Sequence, residues 1–292
     1  MSQAVSMQFS SAPGTIGQYL RALTARGTGQ SKPEFPTLDA LLVGVLADSA
    51  KVKAYARVCG FNDNSGYLPL TYPHILAFPL HMELMLHKSF PLPLMGLVHI
   101  SNRITQRRRI RVSDKLDIHC RLGESRQTDK GTEFDILTTV SSAGEELWSS
   151  VSTNLFRRAS GAAAKGPRTP QAPAQFDSSE YWTLPSSLGR QYARVSGDSN
   201  PIHLHPLAAK LFGFKRHIAH GMWSKARIAA ALAEKFSDGA VEFACDFKLP
   251  VFLPAKLELC YSRSEDGQIR FELRNPGGDK VHVKGTIGAP KA

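Results

Sequence analysis

Two side chains suited to proton chemistry stand close together in the second half of the chain. They are Asp198 and His203, in Tyr192-Ala193-Arg194-Val195-Ser196-Gly197-Asp198-Ser199-Asn200-Pro201-Ile202-His203. A carboxylate and an imidazole aimed into one pocket can hold a single water and share proton transfers with it. Five positions apart on a helix the two would diverge, but Asn200-Pro201 starts a turn and disfavours helix at the asparagine. The pair is therefore expected in a loop, which can point both side chains the same way. About 20 residues downstream comes a second distinctive stretch, Ile218-Ala219-His220-Gly221-Met222-Trp223.

This pattern resembles the hydratase 2 signature of the MaoC-like family, the R-specific enoyl-CoA hydratases and dehydratases of the hotdog fold. The match runs without a gap through Gly-Asp-x-Asn-Pro-aliphatic-His, residues 197 to 203, and His220-Gly221-Met222 fits the start of that fold's long central helix. The resemblance implies reversible hydration of a trans-2-enoyl-CoA to the (R)-3-hydroxyacyl-CoA, a reaction of fatty acid metabolism. Asp198 and His203 would clamp the water, in either division of acid and base. A backbone N–H at the helix N-terminus, with Gly221 allowing close approach, would take the charge that develops on the thioester oxygen. Asn200 would orient the loop or the water, and Ser196, His220, Met222 and Trp223 would surround the substrate. No metal is implied, and no cofactor beyond the coenzyme A carried by the substrate.

Simpler readings stand beside these. Asp198 and Asn200 are residue types that cap loop backbone, and His203 in the family's place is what favours chemistry over turn formation. His205 reads as a surface or cap histidine, and His217 and His220 as core histidines bonded to backbone. Lys215, Arg216, Lys225 and Arg227 could meet coenzyme A phosphates, although a solvated face is the plainer assignment. Acyl carrier protein thioesters fit the same site chemistry. A hotdog thioesterase would not need Asp-x-Asn-Pro-x-His, and a non-catalytic acyl-binding subunit would not need Asp198 and His203.

A repeat organises the elements that must position these residues. Tyr-Ala-Arg-Val-Cys/Ser-Gly occurs at 55 and again at 192, and His74-Ile75 corresponds to His217-Ile218. The chain reads as two copies of one unit. In the first copy Phe61 takes the place of Asp198, Gly66 that of His203, and Ala77-Phe78-Pro79 that of His220-Gly221-Met222. Only the second copy can run the reaction. The expected class is α+β, a double hotdog of two antiparallel sheets, each wrapping a central helix. Prolines at 79, 91 and 93 bound a short helix in the first copy, and the resemblance to double-hotdog relatives implies that such a shortened helix opens room for an acyl tail.

In chain order, residues 1–35 form an arm, either packed on the body or partly disordered, with one amphipathic helix over 15–26, and residues 36–157 the first copy. Within it, 38–46 reads as a strand and 48–59 as a helix capped by Asp48 or Ser49. Strands follow at 98–103, 115–122, 132–140 and 146–157. The Pro/Ala/Gly-rich residues 158–175 read as a linker, and 176–292 as the catalytic copy. There the expected elements are a strand at 179–183, helices from 185, over 206–212 and over 221–236, and strands at 241–249, 256–262, 268–274 and 280–287.

The net charge of +11 and pI near 9.6 favour polyanions. No nucleic-acid module signature is present, so the field is assigned to an acyl-CoA or an acidic carrier protein. The densest basic run, residues 107–111, reads as a strand with Arg107, Arg109 and Arg111 on one face. Four scattered cysteines give neither a disulfide framework nor a zinc site. With no leader pattern or spanning segment, a cytoplasmic protein without membrane contact is expected. A homodimer of such chains is left open.

Overall fold

The computed structural model describes residues 4–25, 27, 33–157, 174–236 and 239–290. In chain order the elements are β1 (Val5–Phe9), α1 (Thr15–Thr24), β2 (Leu38–Val45), α2 (Ser49–Cys59), α3 (Tyr72–Leu86), β3 (Leu97–Gln106), β4 (Leu116–Thr128), β5 (Gly131–Ser142) and β6 (Glu145–Arg157). They continue with β7 (Ser178–Leu184), α4 (Leu188–Ser196), α5 (Pro201–Leu204), α6 (Pro206–Leu211), α7 (Gly221–Ala231), a 3-10 turn at Ala233–Lys235, β8 (Val241–Phe247), β9 (Ala255–Arg263), β10 (Ile269–Arg274) and β11 (Val281–Gly288). Most of the linker read at 158–175 lies outside the described residues.

The local reasons are those the side chains supply. Asp48 caps α2 by accepting from the N–H groups of Ala50 and Lys51. β5 alternates buried and part-buried residues along nearly its whole length, as a strand with one face on a core must. Phe134, Trp148, Phe243 and Phe271 are among the largest fully buried side chains. Each contributes about 1.5–3 kcal/mol by leaving water.

The α+β architecture expected from sequence is present, with the two sheets fused edge to edge. The order β1-β2-β4-β5-β6-β3-β8-β11-β10-β9-β7 makes one sheet of eleven strands. The order on one side of the β3–β8 seam is mirrored on the other, with β2, β4, β5, β6 and β3 answering to β7, β9, β10, β11 and β8. At the seam Ser101–Gln106 runs antiparallel to Asp246–Val241. The sheet wraps α3 and α7, and a single apolar cluster runs through both halves.

Three expectations are corrected here. First, α3 is not shortened: it has 15 residues against 11 for α7. Pro73 sits in the first turn, where its missing N–H costs nothing, and Pro79 removes one helical bond inside a helix held by burial. Second, β3 stops at Gln106, and the arginine run bends instead of extending. Arg107 pairs with Glu146, Arg108 with Asp114, and Arg109 lies 3.9 Å from the Tyr67 ring centroid. Asp114 also accepts from the Arg111 N–H, which ties the bend. Third, the arm adds a strand, β1, parallel to β2 from Val5–Leu38 to Phe9–Leu42, whose Val5, Met7 and Phe9 alternate with polar residues and pack on the core.

Candidate active site

Helix α4 delivers the chain into the site and ends at Gly197, whose φ of 76° lies in the left-handed region that glycine adopts freely. A series of short side-chain bonds then shapes the loop. The Asp198 N–H donates to Ser196 Oγ at 3.2 Å, the Asn200 N–H to Asp198 Oδ1 at 3.2 Å, and the Ile202 N–H to Asn200 Oδ1 at 3.3 Å. Asn200 is thus the N-cap of α5, with Pro201 in the first turn. Asp198 lies in the expected loop, whereas His203 sits on this one-turn helix. Glycine at 189 brings α5 against α4, because a Cβ there would lie 1.9 Å from the His203 carbonyl oxygen.

His203 is buried, and its Nδ1 stands 2.8 Å from the Ile218 carbonyl oxygen. A carbonyl only accepts, so Nδ1 carries the hydrogen and Nε2 presents a lone pair. His220, the N-cap of α7, donates from Nε2 to the Asp198 carbonyl oxygen at 3.0 Å. Its ring stacks on that of His203, with centroids 3.7 Å apart and planes at 26°. The Asp198 carboxylate receives the Tyr19 hydroxyl on Oδ1 at 2.6 Å, while Oδ2 lies 3.9 Å from His220 Nε2.

Burial pushes the His203 imidazole below the ordinary histidine range against the pull of Asp198. Burial and the neighbouring His203 push His220 down to about 3. Burial alone would raise the Asp198 carboxyl, but His220, His203 and the Tyr19 hydroxyl hold it below its usual value. At neutral pH the site therefore presents an ionised carboxylate beside two neutral imidazoles.

Asp198, His203 and His220 offer donor atoms within 4.8 Å of one another, a spacing that a divalent ion could also use. With Nε2 of His220 spent on a carbonyl and its ring stacked face to face, proton transfer suits the set better than coordination. The first helical bond of α7 is Ser224 N–H to His220 O, so the N–H groups of Gly221 to Trp223 precede the ladder. A Cβ on Gly221 would lie 3.1 Å from the Phe247 ring, which in turn packs on His99 with centroids 5.1 Å apart.

The remaining expected site residues are spread around this centre. Ser196 Oγ accepts from the Asp198 N–H, and Asn200 spends its carbonyl as a helix cap. Met222 is buried, and Trp223 turns toward the first copy, donating its indole N–H to Val58 O at 3.0 Å. His205 caps α6 and His217 donates to the Ser186 carbonyl, as read from sequence. Lys225 is neither solvated nor turned to phosphates: it is fully buried and donates to Asn102 O, Asn102 Oδ1 and Phe243 O at 2.7–2.8 Å. Arg227 lies 4.9 Å from the Trp182 ring centroid and pairs with Glu180.

Sequence reasoning missed Tyr19, whose contact spans 179 residues of chain, and nothing in the arm's composition marks it. It also missed the cluster of buried His74 and His81 on α3 with part-buried His99 on β3. Burial pushes His81 down to about 3 and His99 to about 4, so both are neutral.

Residues 169–284 match the family described as MaoC like domain. The chain is 37% identical over 242 residues to 3-hydroxyacyl-thioester dehydratase X of Mycobacterium tuberculosis, covering 82% of this chain and 85% of that protein. The crystal structure of HtdX from Mycobacterium tuberculosis superposes with a TM-score of 0.75 at 34% identity, over 86% of this chain and all of that one. A MaoC-like dehydratase from Phytophthora capsici shares the fold at a TM-score of 0.70 and 20% identity, over 88% of this chain and 95% of that one. The chain belongs to the MaoC-like dehydratase family and is a hydro-lyase.

Proposed function

We propose that this protein catalyses the reversible addition of water to a trans-2-enoyl thioester, giving the (R)-3-hydroxyacyl thioester, with coenzyme A as the carrier. The observation that carries the reading is the pairing of an ionised Asp198 with the free Nε2 of a neutral His203 at one seat. Each accepts one hydrogen of a bound water. As the water oxygen bonds to C3, His203 Nε2 takes its proton, and the electron pair of the double bond moves through C2 toward the thioester oxygen. The N–H groups at the head of α7 receive that charge. Protonated His203 then returns the proton to C2. Neither group holds a proton at rest to supply, so one group both takes and gives, and dehydration follows the same path backwards. The scheme needs no cofactor.

The related protein from Mycobacterium tuberculosis is named for a 3-hydroxyacyl thioester without its carrier, so an acyl carrier protein thioester is the second substrate to try. The test follows loss of absorbance of the conjugated thioester when crotonyl-CoA or a longer trans-2-enoyl-CoA is added, with the product's configuration determined. Asp198→Asn and His203→Ala should each lower the rate by about 10²–10⁴, the usual value of a positioned proton-transfer group. A wild-type protein that hydrates neither coenzyme A nor carrier-protein thioesters would favour a binding subunit instead.

A further inference from the structure

The N-terminal arm is tied down at both ends, and between the ties it reaches the catalytic carboxylate. β1 pairs with β2 along five residues. In α1, the buried Gln18 side chain donates to the Pro79 carbonyl at 2.8 Å and to Glu83 Oε1 at 2.9 Å, and Arg21 pairs with the same Glu83. Thr15 lies against Gly197, where an added Cβ would meet its Cγ2 at 3.3 Å. One residue on from the buried glutamine, the Tyr19 hydroxyl donates to Asp198 Oδ1 at 2.6 Å, a short bond to a charged acceptor.

We infer that Tyr19 is a positioning residue for the hydration reaction: its hydroxyl pins Oδ1 of Asp198, so that Oδ2 alone holds the reacting water. The inference rests on the hydratase reading above. The Asn200 N–H also goes to Oδ1, which leaves Oδ2 turned toward the imidazoles. The titratable groups that bear on the carboxylate are Tyr19 from α1, Tyr192 from α4, His203 from α5, His220 at the head of α7 and His99 from β3. Among the described side chains, Tyr19 alone makes a hydrogen bond to that carboxylate. With the Asn200 N–H as its one bond, Oδ1 would keep a lone pair for water and the carboxylate two seats. Fixing one oxygen leaves a single seat, and the donated hydrogen also stabilises the ionised form. An arm this firmly anchored acts as part of the site's wall rather than as a lid that swings away.

The test is Tyr19→Phe, which keeps the ring and removes the hydroxyl. Loss of one hydrogen bond to a charged group should lower kcat about 10- to 100-fold with KM changed less than about twofold. The acid limb of the pH profile should move to higher pH, because the carboxyl loses a donor that favoured its ionised form. Gln18→Ala, which loosens α1 but keeps the phenol, should shift the limb in the same direction by less. Independently of activity, the Asp198 carboxyl can be titrated by NMR in protein carrying 13C-carboxyl aspartate, its resonance assigned by its loss in Asp198→Asn. Tyr19→Phe should raise its pKa. An unmoved Asp198 titration overturns the inference whatever the activity does, and so does an unchanged or raised kcat, which is the behaviour of a lid. A moved titration in a protein that hydrates no thioester keeps Tyr19 on Asp198 and removes the hydratase reading instead.

Discussion

The two copies of the Tyr-Ala-Arg-Val helix follow the same backbone path to the same bend and then part. α2 and α4 pack on one another, with the Tyr55 and Tyr192 ring centroids 6.0 Å apart, and each ends in a left-handed glycine, Gly60 at φ 81° and Gly197 at φ 76°. One residue later the first copy places Phe61 against the core, while the second places Asp198 beside His203 and His220. The long helices differ in a way that matters as much. Where α7 begins with its free N–H groups, the corresponding residues of α3, Ala77 to Pro79, lie in mid-helix, and all but the proline have their N–H groups engaged in the ladder. A third difference is what lies beside each bend. An open groove of about 740 Å³, lined by Phe61, Ala230 and Phe236 among others, faces the first, and α1 with Tyr19 covers the second. The scaffold is common to both copies. In the proposed reaction the second copy differs by two side chains, the point where a helix starts, and an arm.

That contrast can be tested from both sides. When His74 is aligned with His217, Met82 takes the place of Lys225. Lys225→Met therefore converts one copy to the other at a fully buried position. It strips the donor from three buried acceptors at about 1–3 kcal/mol each, offset in part by removing a buried charge. A large fall in the denaturation midpoint is expected. Next in size is Gly189→Ala, whose Cβ would collide with the His203 carbonyl and displace the imidazole from Asp198. A rate loss of about 10² with substrate binding retained is expected, the scale of an ångström-sized misplacement.

The pH profile gives a smaller effect. The folded pKa values of His203 and Asp198 both lie below their ordinary values, so the neutral imidazole and the ionised carboxylate survive to lower pH than isolated groups would. The rate should stay level as pH falls through about 6.5, the ordinary histidine value, and decline only below it. A fall centred on 6.5 would mean that His203 is solvated in solution. Smallest of all is Phe61→Asp. It restores the carboxylate of the repeat, yet with Gly66 in the place of the histidine and no helix start nearby it should leave thioester hydration unchanged.

Much of this was legible in the sequence because it is local. The Asp-x-Asn-Pro-x-His spacing, the duplicated helix and the alternation in the strands each depend on neighbours within a few residues. What escaped depends on distant ones. Tyr19 meets Asp198 across 179 residues, and Lys225 looks like any helix-surface lysine until Asn102 and Phe243 are seen around it. The prolines of α3 misled because burial on nearly every side holds a helix that proline alone would end. Asn200 and Trp223 stand near Asp198 and His220 in sequence, but one caps α5 and the other faces α2.

Lys225 has a consequence for the independence of the two copies. Its ammonium sits on the second copy's helix and takes two of its three acceptors from Asn102, a residue of the first copy, across the β3–β8 seam. A gene cut between the copies would yield a C-terminal half with a buried cation short of partners and an unpaired β8 edge. Cutting alone would therefore not free the C-terminal half, because the Lys225 ammonium keeps its Asn102 acceptors in the first copy.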